Sequence, residues 1–291
     1  MTDWATTFKE WASPPNDTEK RRCENAILVI KNAIQADSNL RDKVDVFVQG
    51  SYRNNVNVKQ SSDVDIAVLY TGGTFFTSYP LGMKDSDFGY VTSQYTFQNF
   101  KNNIESALVS YLGSKAITRS NKAFDVHETT YHVDADVVPV FEFKRYNDNG
   151  KYISGVKLIS DDLKVVINYP QQHYDNGVAK NKNTQRRYKQ IVRIIKKTCF
   201  EMQNLQMRES VDLAGFMLEC LIYNVPDLVF SVSDDLMEIT KACVRNIYAR
   251  ETEYKNFVEV NELKYLFHIS QEWKESQVKP FLEGAWYYWG F

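Results

Sequence analysis

The feature that most constrains the fold is residues 63–70, DVDIAVLY, in which two acidic residues alternate with apolar ones. A repeat of two residues is typical of a β-strand, because successive side chains point to opposite faces. Asp63 and Asp65 therefore share one face of the predicted strand, while Val64 and Ile66 point into a core on the other. The sequence thus predicts two carboxylates held side by side at the surface of a buried strand.

A later predicted strand, residues 131–143 (YHVDADVVPVFEF), places acidic residues in a similar setting. Asp134 and Asp136 share one of its faces. Two carboxylates from one strand and one from a neighbouring strand make a clamp for divalent cations, which prefer oxygen ligands. An isolated Asp-x-Asp pair is more often a solvent-facing pair on an edge strand, so this pattern alone does not establish a metal site.

The segment Gln49-Gly50-Ser51 favours the metal-binding interpretation. It follows a predicted strand over residues 44–48, and we expect the polar residues after it to begin a helix. Backbone N–H groups at such a turn, with the Ser51 hydroxyl, can hold a triphosphate, and glycine lets a phosphate approach the backbone closely. Phosphoryl transfer needs the triphosphate charge neutralised and a hydroxyl made nucleophilic. Two Mg²⁺ ions, or Mn²⁺ in their place, do both.

The chain resembles the polymerase-β nucleotidyltransferase superfamily in the order of its motifs. A Gly-Ser pair is followed by eleven residues and then by Asp-Val-Asp, and a later Asp precedes Val-Val-Pro. In that superfamily the third metal-binding Asp directly precedes the apolar-apolar-Pro run. This implies Asp136 as the third ligand and makes Asp134 a neighbour of the site. The resemblance therefore implies the catalytic metal ligands Asp63, Asp65 and Asp136 and the substrate-binding residues Gln49, Gly50 and Ser51.

The chain also resembles a narrower family over three runs, VQGSYRNNVNVKQSSDVDIAVLY, ADVVPVFEF and VVINYPQQHYDNGVAKN. These runs are similar to the bacterial cGAS/DncV-like nucleotidyltransferases, or CD-NTases, and the last is typical of clade E, the CdnE enzymes. The resemblance implies an α+β fold, with a polymerase-β-like nucleotidyltransferase core, a long N-terminal helix and a C-terminal helical lobe packed against the core, as in oligoadenylate synthetase. We expect the core over residues 1–165 and the helical lobe over residues 166–291.

The same resemblance implies an enzyme that joins two ribonucleoside triphosphates into a cyclic dinucleotide and releases pyrophosphate. It also implies a separate effector that reads the product in the anti-phage defence called CBASS. The Asn that opens the NYP run, here Asn168, implies use of UTP and a product of the cyclic UMP-AMP or cyclic di-UMP type. A side-chain amide has the donor and the acceptor that match uracil. The alternative is that Asn168 only caps the turn before Pro170.

The predicted helix over residues 184–202 supplies cations at positions i, i+4, i+7 and i+8, from Lys189 to Lys197. Of these, Lys189 matches a family position that approaches the triphosphate, which implies a substrate-binding role. The next predicted helix, residues 211–223, has Gly215 where related enzymes place a phosphate-contacting Ser. Either a neighbouring group substitutes for that hydroxyl or triphosphate binding lacks it.

Hydrophobic periodicity predicts the remaining elements. We expect His173, within the NYP run, to order a loop rather than to transfer protons, because two-metal transferases do not need a histidine base. The further predicted elements are a helix capped by Asn16 and ending near Ala36, helices over residues 97–112 and 236–249, and a strand over residues 151–159.

Composition argues against several other classes of function. The formal net charge of −2 disfavours extensive binding to duplex nucleic acid, so we expect no nucleic-acid activator. The four cysteines are scattered, which disfavours a zinc site. An apolar run of membrane length does not occur, so we expect a cytoplasmic protein with no membrane partner. The self-contained fold of the family implies a monomer.

Two alternatives remain open from the sequence. One is a nucleotidyltransferase of another product class, which makes linear oligonucleotides or modifies a small molecule. The other is a catalytically silent, nucleotide-binding scaffold. The scaffold is disfavoured, because such relatives commonly lose one carboxylate and all three are present here.

Overall fold

The computed structural model describes residues 3–58, 63–210, 213–269 and 271–291. Strands occur between residues 44 and 168, and helices predominate after that point, which confirms the predicted α+β class. Within the described residues, every helix is too short or too polar to cross a lipid bilayer. The helices are α1 (Trp4–Ala12), α2 (Asp17–Ala36), α3 (Gly50–Arg53), α4 (Phe97–Leu112), α5 (Pro170–Asn183), α6 (Arg187–Asn204), α7 (Gly215–Tyr223), α8 (Leu236–Ala249) and α9 (Val278–Tyr288). The strands are β1 (Val44–Val48), β2 (Val64–Ser78), β3 (Ile117–Arg119), β4 (Phe124–Val126), β5 (Ala135–Tyr146), β6 (Tyr152–Ile159) and β7 (Val165–Asn168).

The chain forms two compact units, each discontinuous in sequence. The sheet unit comprises Asn16–Tyr52 and Ser62–Pro170. The helical unit comprises Met1–Pro15, Arg53–Ser61 and Gln171–Phe291. These units are defined by contacts and place α1 with the C-terminal helices. The division of the chain into domains near residue 165 stays a prediction.

The sheet unit is built on one mixed sheet with the strand order β1-β2-β5-β4-β3. Strands β2 and β5 run parallel, and the other paired strands of the described chain are antiparallel. Because β5 is long, it pairs with β4 near its start and with β6 near its end, and β7 pairs with β6. The acidic segment of β5 therefore lies between β2 and the short β4.

Helices α2 and α4 share one hydrophobic core with these strands. The predicted cap of α2 is confirmed, since the Asn16 side chain accepts the Glu19 N–H at 3.0 Å. Helix α4 has the predicted bounds and contributes Phe100, whose ring centroid lies 5.2 Å from that of Tyr70 and 5.4 Å from that of Phe141. Burial of one set of alternating strand residues directs the other set to the opposite face of β2 and β5.

Helix α6 is the central element of the helical unit, with Tyr188, Ile191 and Ile195 fully buried. The predicted helix over residues 184–202 is observed as α6, which ends at Asn204. It begins only at Arg187, because Arg186 has a left-handed conformation (φ 69°) that separates α5 from α6. The start of the next predicted helix, residues 211 and 212, lies outside the described residues. Residues 213 and 214 are described and are not helical, so the helix begins later than predicted, as α7 at Gly215, and it ends at Tyr223 as predicted. Helix α8 has the predicted bounds.

A buried arginine connects the three sequence segments of the helical unit. Arg193 on α6 donates from Nε to the carbonyl oxygen of Ala12 at 2.7 Å and from Nη1 to that of Asn55 at 2.6 Å. A buried guanidinium needs such acceptors, because an unpaired buried charge is costly. The contacts explain why α1 and the segment that begins at Arg53 belong with the C-terminal helices.

The expectation that His173 orders a loop is wrong. Pro170 begins α5, and proline is favoured at a first helical position because its fixed φ suits the helix and its missing N–H would have no intrahelical partner there. His173 is buried on this helix, and its Nε2 lies 2.9 Å from Oε1 of Glu219 on α7. The residue therefore connects two helices.

We expect Phe100→Ala to lower the free energy of unfolding by about 3–5 kcal/mol, because a fully buried ring is replaced by a cavity. Urea denaturation monitored by circular dichroism measures this loss. Leu28→Ala, on the same unit but 48% exposed, is the control and should change the free energy by less than about 0.5 kcal/mol. Equal effects of the two substitutions would contradict the assigned core.

Candidate active site

Three carboxylates lie in one row across three adjacent strands. Asp65 on β2 is directly opposite Asp136 on β5 in the parallel register. Asp125 on β4 is directly opposite Asp136 in the antiparallel register. Asp63 immediately precedes β2, two residues from Asp65. The structure thus brings together the three predicted metal ligands and adds Asp125, which the sequence analysis did not identify.

Alternating burial holds these carboxylates on one face of the sheet. Val64 and Ile66, which flank Asp65, are fully buried. Ala135 and Val137, which flank the acidic residue of β5, are also buried. A one-residue slip of either strand would exchange its two faces and expose these buried apolar side chains to solvent. The intervening acidic side chains Asp65 and Asp136 are half-buried.

Burial and repulsion between neighbouring carboxylates raise the pKa of two of these groups. Burial, the charge of Asp65 and a side-chain hydrogen bond with Asp125 raise the pKa of Asp136 from 3.8 to about 7, with the charge of Asp63 adding to the effect. Partial burial of its carboxyl and the charges of Asp134 and Asp125 raise the pKa of Asp63, although this residue as a whole is exposed. Burial and the neighbouring carboxylates therefore disfavour ionisation of Asp136 and of Asp63.

Gly50 lies directly against Asp65. Its φ of 66° is in the left-handed region, and a Cβ added to it would lie 1.8 Å from Oδ2 of Asp65. Only glycine fits this position without moving the carboxylate. The Gln49 N–H donates to the carbonyl oxygen of Asp65 at 2.9 Å, which fixes the segment beside β2. Ser51 follows in α3, a single helical turn, as the sequence predicts.

Asp134 occupies a different environment from Asp136. Its Oδ1 accepts the backbone N–H of Glu128 at 2.7 Å, and its carbonyl oxygen accepts the N–H of Val64 at 3.2 Å. Asp134 is exposed and precedes the first residue of β5. It therefore orders the chain around the start of β2, which supports the choice of Asp136 as the third ligand.

The chemistry of this donor set fits a divalent cation, although the side chains need to turn to bind one. Among the described residues, no group of three His, Cys, Asp or Glu side chains could hold a metal ion as it stands. Asp136 instead shares a hydrogen bond with Asp125. Converging carboxylates that raise one another's pKa are stabilised by a positive charge placed among them. Asp63, Asp65 and Asp136 would supply the carboxylate oxygens for such an ion.

Asn168 lies on the same face of the sheet as Asp136. It is the last residue of β7 and pairs with Val156, which in turn pairs with Glu142 on β5. Paired residues on adjacent strands share a face, and Glu142 is six residues from Asp136, an even number. Asn168 is exposed, while the next residue, Tyr169, is buried. The amide can therefore meet a ligand on this face.

Lys189 lies on α6 in the helical unit and is half-buried. Burial lowers its pKa. Its ammonium lies 5.9 Å from the centroid of the Tyr174 ring, and its backbone N–H donates to Oδ1 of Asn181. Its predicted role in triphosphate binding stays a prediction.

Lys196 is a cation of the same helix that the sequence analysis did not single out. It is buried, and its Nζ lies 3.5 Å from Oε2 of Glu219. A Cβ added to Gly215 would lie 3.6 Å from Cε of Lys196 and 3.9 Å from its Nζ. The neighbouring polar group at Gly215 is therefore an ammonium. The helical spacing of Lys196 allows it to lie near Gly215, but only the packing of α6 against α7 identifies the contact.

The chain matches two family models. Residues 29–202 match the nucleotidyltransferase domain, and residues 175–290 match the cGAS/DncV-like nucleotidyltransferase C-terminal helical domain. Together these ranges include the acidic row, the Gly50 segment and the described helices from α6 to α9.

Several known proteins are similar to the chain over nearly its whole length. It is 39% identical over 291 residues to the cyclic dipyrimidine nucleotide synthase CdnE of Legionella pneumophila, with 98% of each chain covered. It is 36% identical over 280 residues to the protein of the same name from Cecembia lonarensis, with 95% of each covered. The solved structure of the Rhodothermus marinus CdnE c-UMP-AMP synthase with Apcpp and Upnpp superposes with a TM-score of 0.86 at 29% identity, over 99% of this chain and 97% of that one.

In metal-free buffer we expect the thermal stability of the protein to fall as the pH rises from about 4 to about 7. The Asp136 carboxyl has a pKa of about 7 when folded and an ordinary value of 3.8 when unfolded, so the folded chain binds the extra proton in this range. Melting temperatures at pH 4.5 and pH 8 with a chelator measure the effect. Asp136→Asn should reduce this pH dependence, whereas Asp134→Asn should retain it. An unchanged dependence in Asp136→Asn would contradict the assignment.

Proposed function

Because the chain belongs to the cGAS/DncV-like nucleotidyltransferases, we propose that it joins two ribonucleoside triphosphates, at least one of them UTP, into a cyclic dinucleotide. The proposal depends on one observation: Asp65 lies directly opposite Asp136 in the strand register. Gly50 lies against Asp65, and it can approach so closely only because it has no side chain. This geometry suits phosphoryl transfer, in which positioning and charge neutralisation provide most of the catalysis.

In this proposal Asp63, Asp65 and Asp136 hold two divalent ions, with Mg²⁺ as the physiological ion and Mn²⁺ as a substitute. Ions held there would lower the pKa of the attacking hydroxyl and would neutralise charge on the triphosphate. The backbone at Gln49-Gly50-Ser51 holds the phosphates, because it lies against Asp65 and has no side chain at Gly50. Carboxylates held by buried strands are well suited to this task, since rigid elements position ligands precisely.

Each of the two steps exchanges one phosphorus–oxygen bond for another. A ribose hydroxyl of one nucleotide attacks the α-phosphorus of the other, its proton leaves to solvent, and the bond to the β-phosphate oxygen breaks with release of pyrophosphate. The linear product retains one triphosphate and one ribose hydroxyl at its ends. The same residues then act on these two groups, and the second bond closes the ring.

Asn168 supports the preference for a pyrimidine. Its amide is exposed on the face that contains Asp136, where it can donate one hydrogen bond and accept another. Uracil presents a matching acceptor and donor at adjacent positions. Two relatives are named as cyclic dipyrimidine nucleotide synthases, and a third as a c-UMP-AMP synthase. The product is accordingly of the cyclic UMP-AMP or cyclic di-UMP type.

Two lysines of α6 are candidates for triphosphate binding. Lys196 is one candidate, because its ammonium adjoins Gly215, the position at which the resemblance implies a phosphate-contacting Ser in related enzymes. Lys189 is the position that the family resemblance implies.

The product acts as a signal for a separate effector in CBASS, and the enzyme works as a monomer without a polynucleotide activator.

The product test uses the purified protein, Mg²⁺ and equal concentrations of ATP, UTP, CTP and GTP, with mass spectrometry of the nucleotides formed. We expect a cyclic dinucleotide that contains uridine, together with pyrophosphate. Asp63→Ala combined with Asp65→Ala should lower both by more than about a hundredfold, since even outer-shell partners of metal ligands contribute ten- to hundredfold. The double variant should keep its fold, because the change removes like charges.

Asp45→Ala, an exposed acidic residue on β1 of the same sheet, is the matched control and should retain activity. Linear products alone would indicate a different product class of nucleotidyltransferase. Pyrophosphate release that persists in the double variant would contradict the proposed site. An absence of both product and pyrophosphate in the unmodified protein would instead support the silent scaffold.

We expect Asn168→Ala to lower the share of pyrimidine in the products about five- to tenfold, which corresponds to the loss of hydrogen bonds worth about 1 kcal/mol. Mass spectrometry of products from equimolar UTP and ATP measures this share. Asn39→Ala, an exposed Asn of the same unit, should leave it unchanged. A constant pyrimidine share with a lower melting temperature in Asn168→Ala would support the turn-capping role.

A further inference from the structure

Asp125 is an acidic residue of the site that neither the sequence pattern nor the family resemblance identifies. It is the middle residue of β4, and its neighbours Phe124 and Val126 are buried. The strand therefore directs Asp125 to the opposite face. Because Asp125 pairs directly with Asp136, this is the face on which Asp136 lies.

The register limits what Asp125 can reach. Paired residues on adjacent strands are about 4.5–5.5 Å apart at Cα, so the Asp125 carboxyl contacts that of Asp136, and a side-chain hydrogen bond joins the two. Asp65 lies two strands away, about 10 Å at the usual strand spacing. Of the two proposed ligands in the row, Asp125 is therefore adjacent only to Asp136, on the side opposite to Asp65.

Fold stability alone disfavours an acidic residue at this position. Like charges directly opposite each other on adjacent strands destabilise a sheet. A neutral residue at position 125 would keep the buried Phe124 and Val126 in place and remove the repulsion with Asp136. A function that needs the negative charge explains its presence.

We propose that Asp125 is a positioning residue of the metal site, which fixes the Asp136 carboxylate and accepts hydrogen bonds from water on the bound divalent cation. The proposal deepens the function proposed above and rests on it. Mg²⁺ and Mn²⁺ usually retain several coordinated waters in protein sites, and a carboxylate next to a ligand is a suitable acceptor for them. Partners of this kind orient the ligands and tune the affinity for the metal.

The test measures Mn²⁺ binding to the purified full-length protein by isothermal titration calorimetry, with no nucleotide present. We expect Asp125→Asn to weaken Mn²⁺ binding about ten- to hundredfold, the range observed for outer-shell partners of metal ligands. The same variant should melt at a higher temperature in metal-free buffer at pH 8, because it removes one of two opposed charges. A structural role for Asp125 would predict the reverse, a lower melting temperature with unchanged affinity.

Asp134→Asn is the matched control. It removes the same charge, which also acts on Asp63, but Asp134 bonds to the Glu128 N–H. Its effect on Mn²⁺ affinity should be less than about threefold, as expected for an exposed charge. Equal affinities for Asp125→Asn and the unmodified protein, equal losses in both variants, or absence of Mn²⁺ binding to the unmodified protein would each overturn the proposal. If Mn²⁺ binding depends on Asp125 but no cyclic product forms, the proposed function fails and this inference stands.

Discussion

The constraint on which the structure depends is the opposition of like charges across β4, β5 and β2. Asp125, Asp136 and Asp65 occupy equivalent places on three adjacent strands. Such a row destabilises a sheet. Burial, and after it the neighbouring carboxylates, raise the pKa of Asp136. The register is nevertheless maintained, because a shift by one residue would expose buried side chains such as Val64 and Val137 to solvent. The core thus determines where the charges lie.

The contact between Gly50 and Asp65 extends this constraint to Gln49-Gly50-Ser51, the segment proposed to bind phosphate. A side chain at position 50 would displace the carboxylate, and the positive φ further restricts the position to glycine. The hydrogen bond from the Gln49 N–H to Asp65 fixes the same approach through the backbone. The acidic row and the backbone of this segment are therefore adjacent because of local packing in a single unit.

Long periodic elements were predictable from sequence, whereas features that depend on pairing were not. The helices α4 and α8 and the strand β1 have the predicted bounds, because their apolar residues repeat over several turns or positions. The strand β4 has three residues, too few to show a period, and its partner is known only from the register. Asp125 was missed for this reason. Lys196 was missed because its neighbour Gly215 is on another helix.

The two parts of the proposed chemistry depend on the fold in different ways. Asp65 lies between buried neighbours and against Gly50, so the packing of the strand fixes its position. Asn168 is exposed at the end of β7, and its replacement costs little packing. The two residues lie on one face of one sheet but on different strands. If Asn168 reads the base as proposed, base preference can change at the strand end while the acidic row stays intact, and one nucleotidyltransferase fold can then support products with different bases.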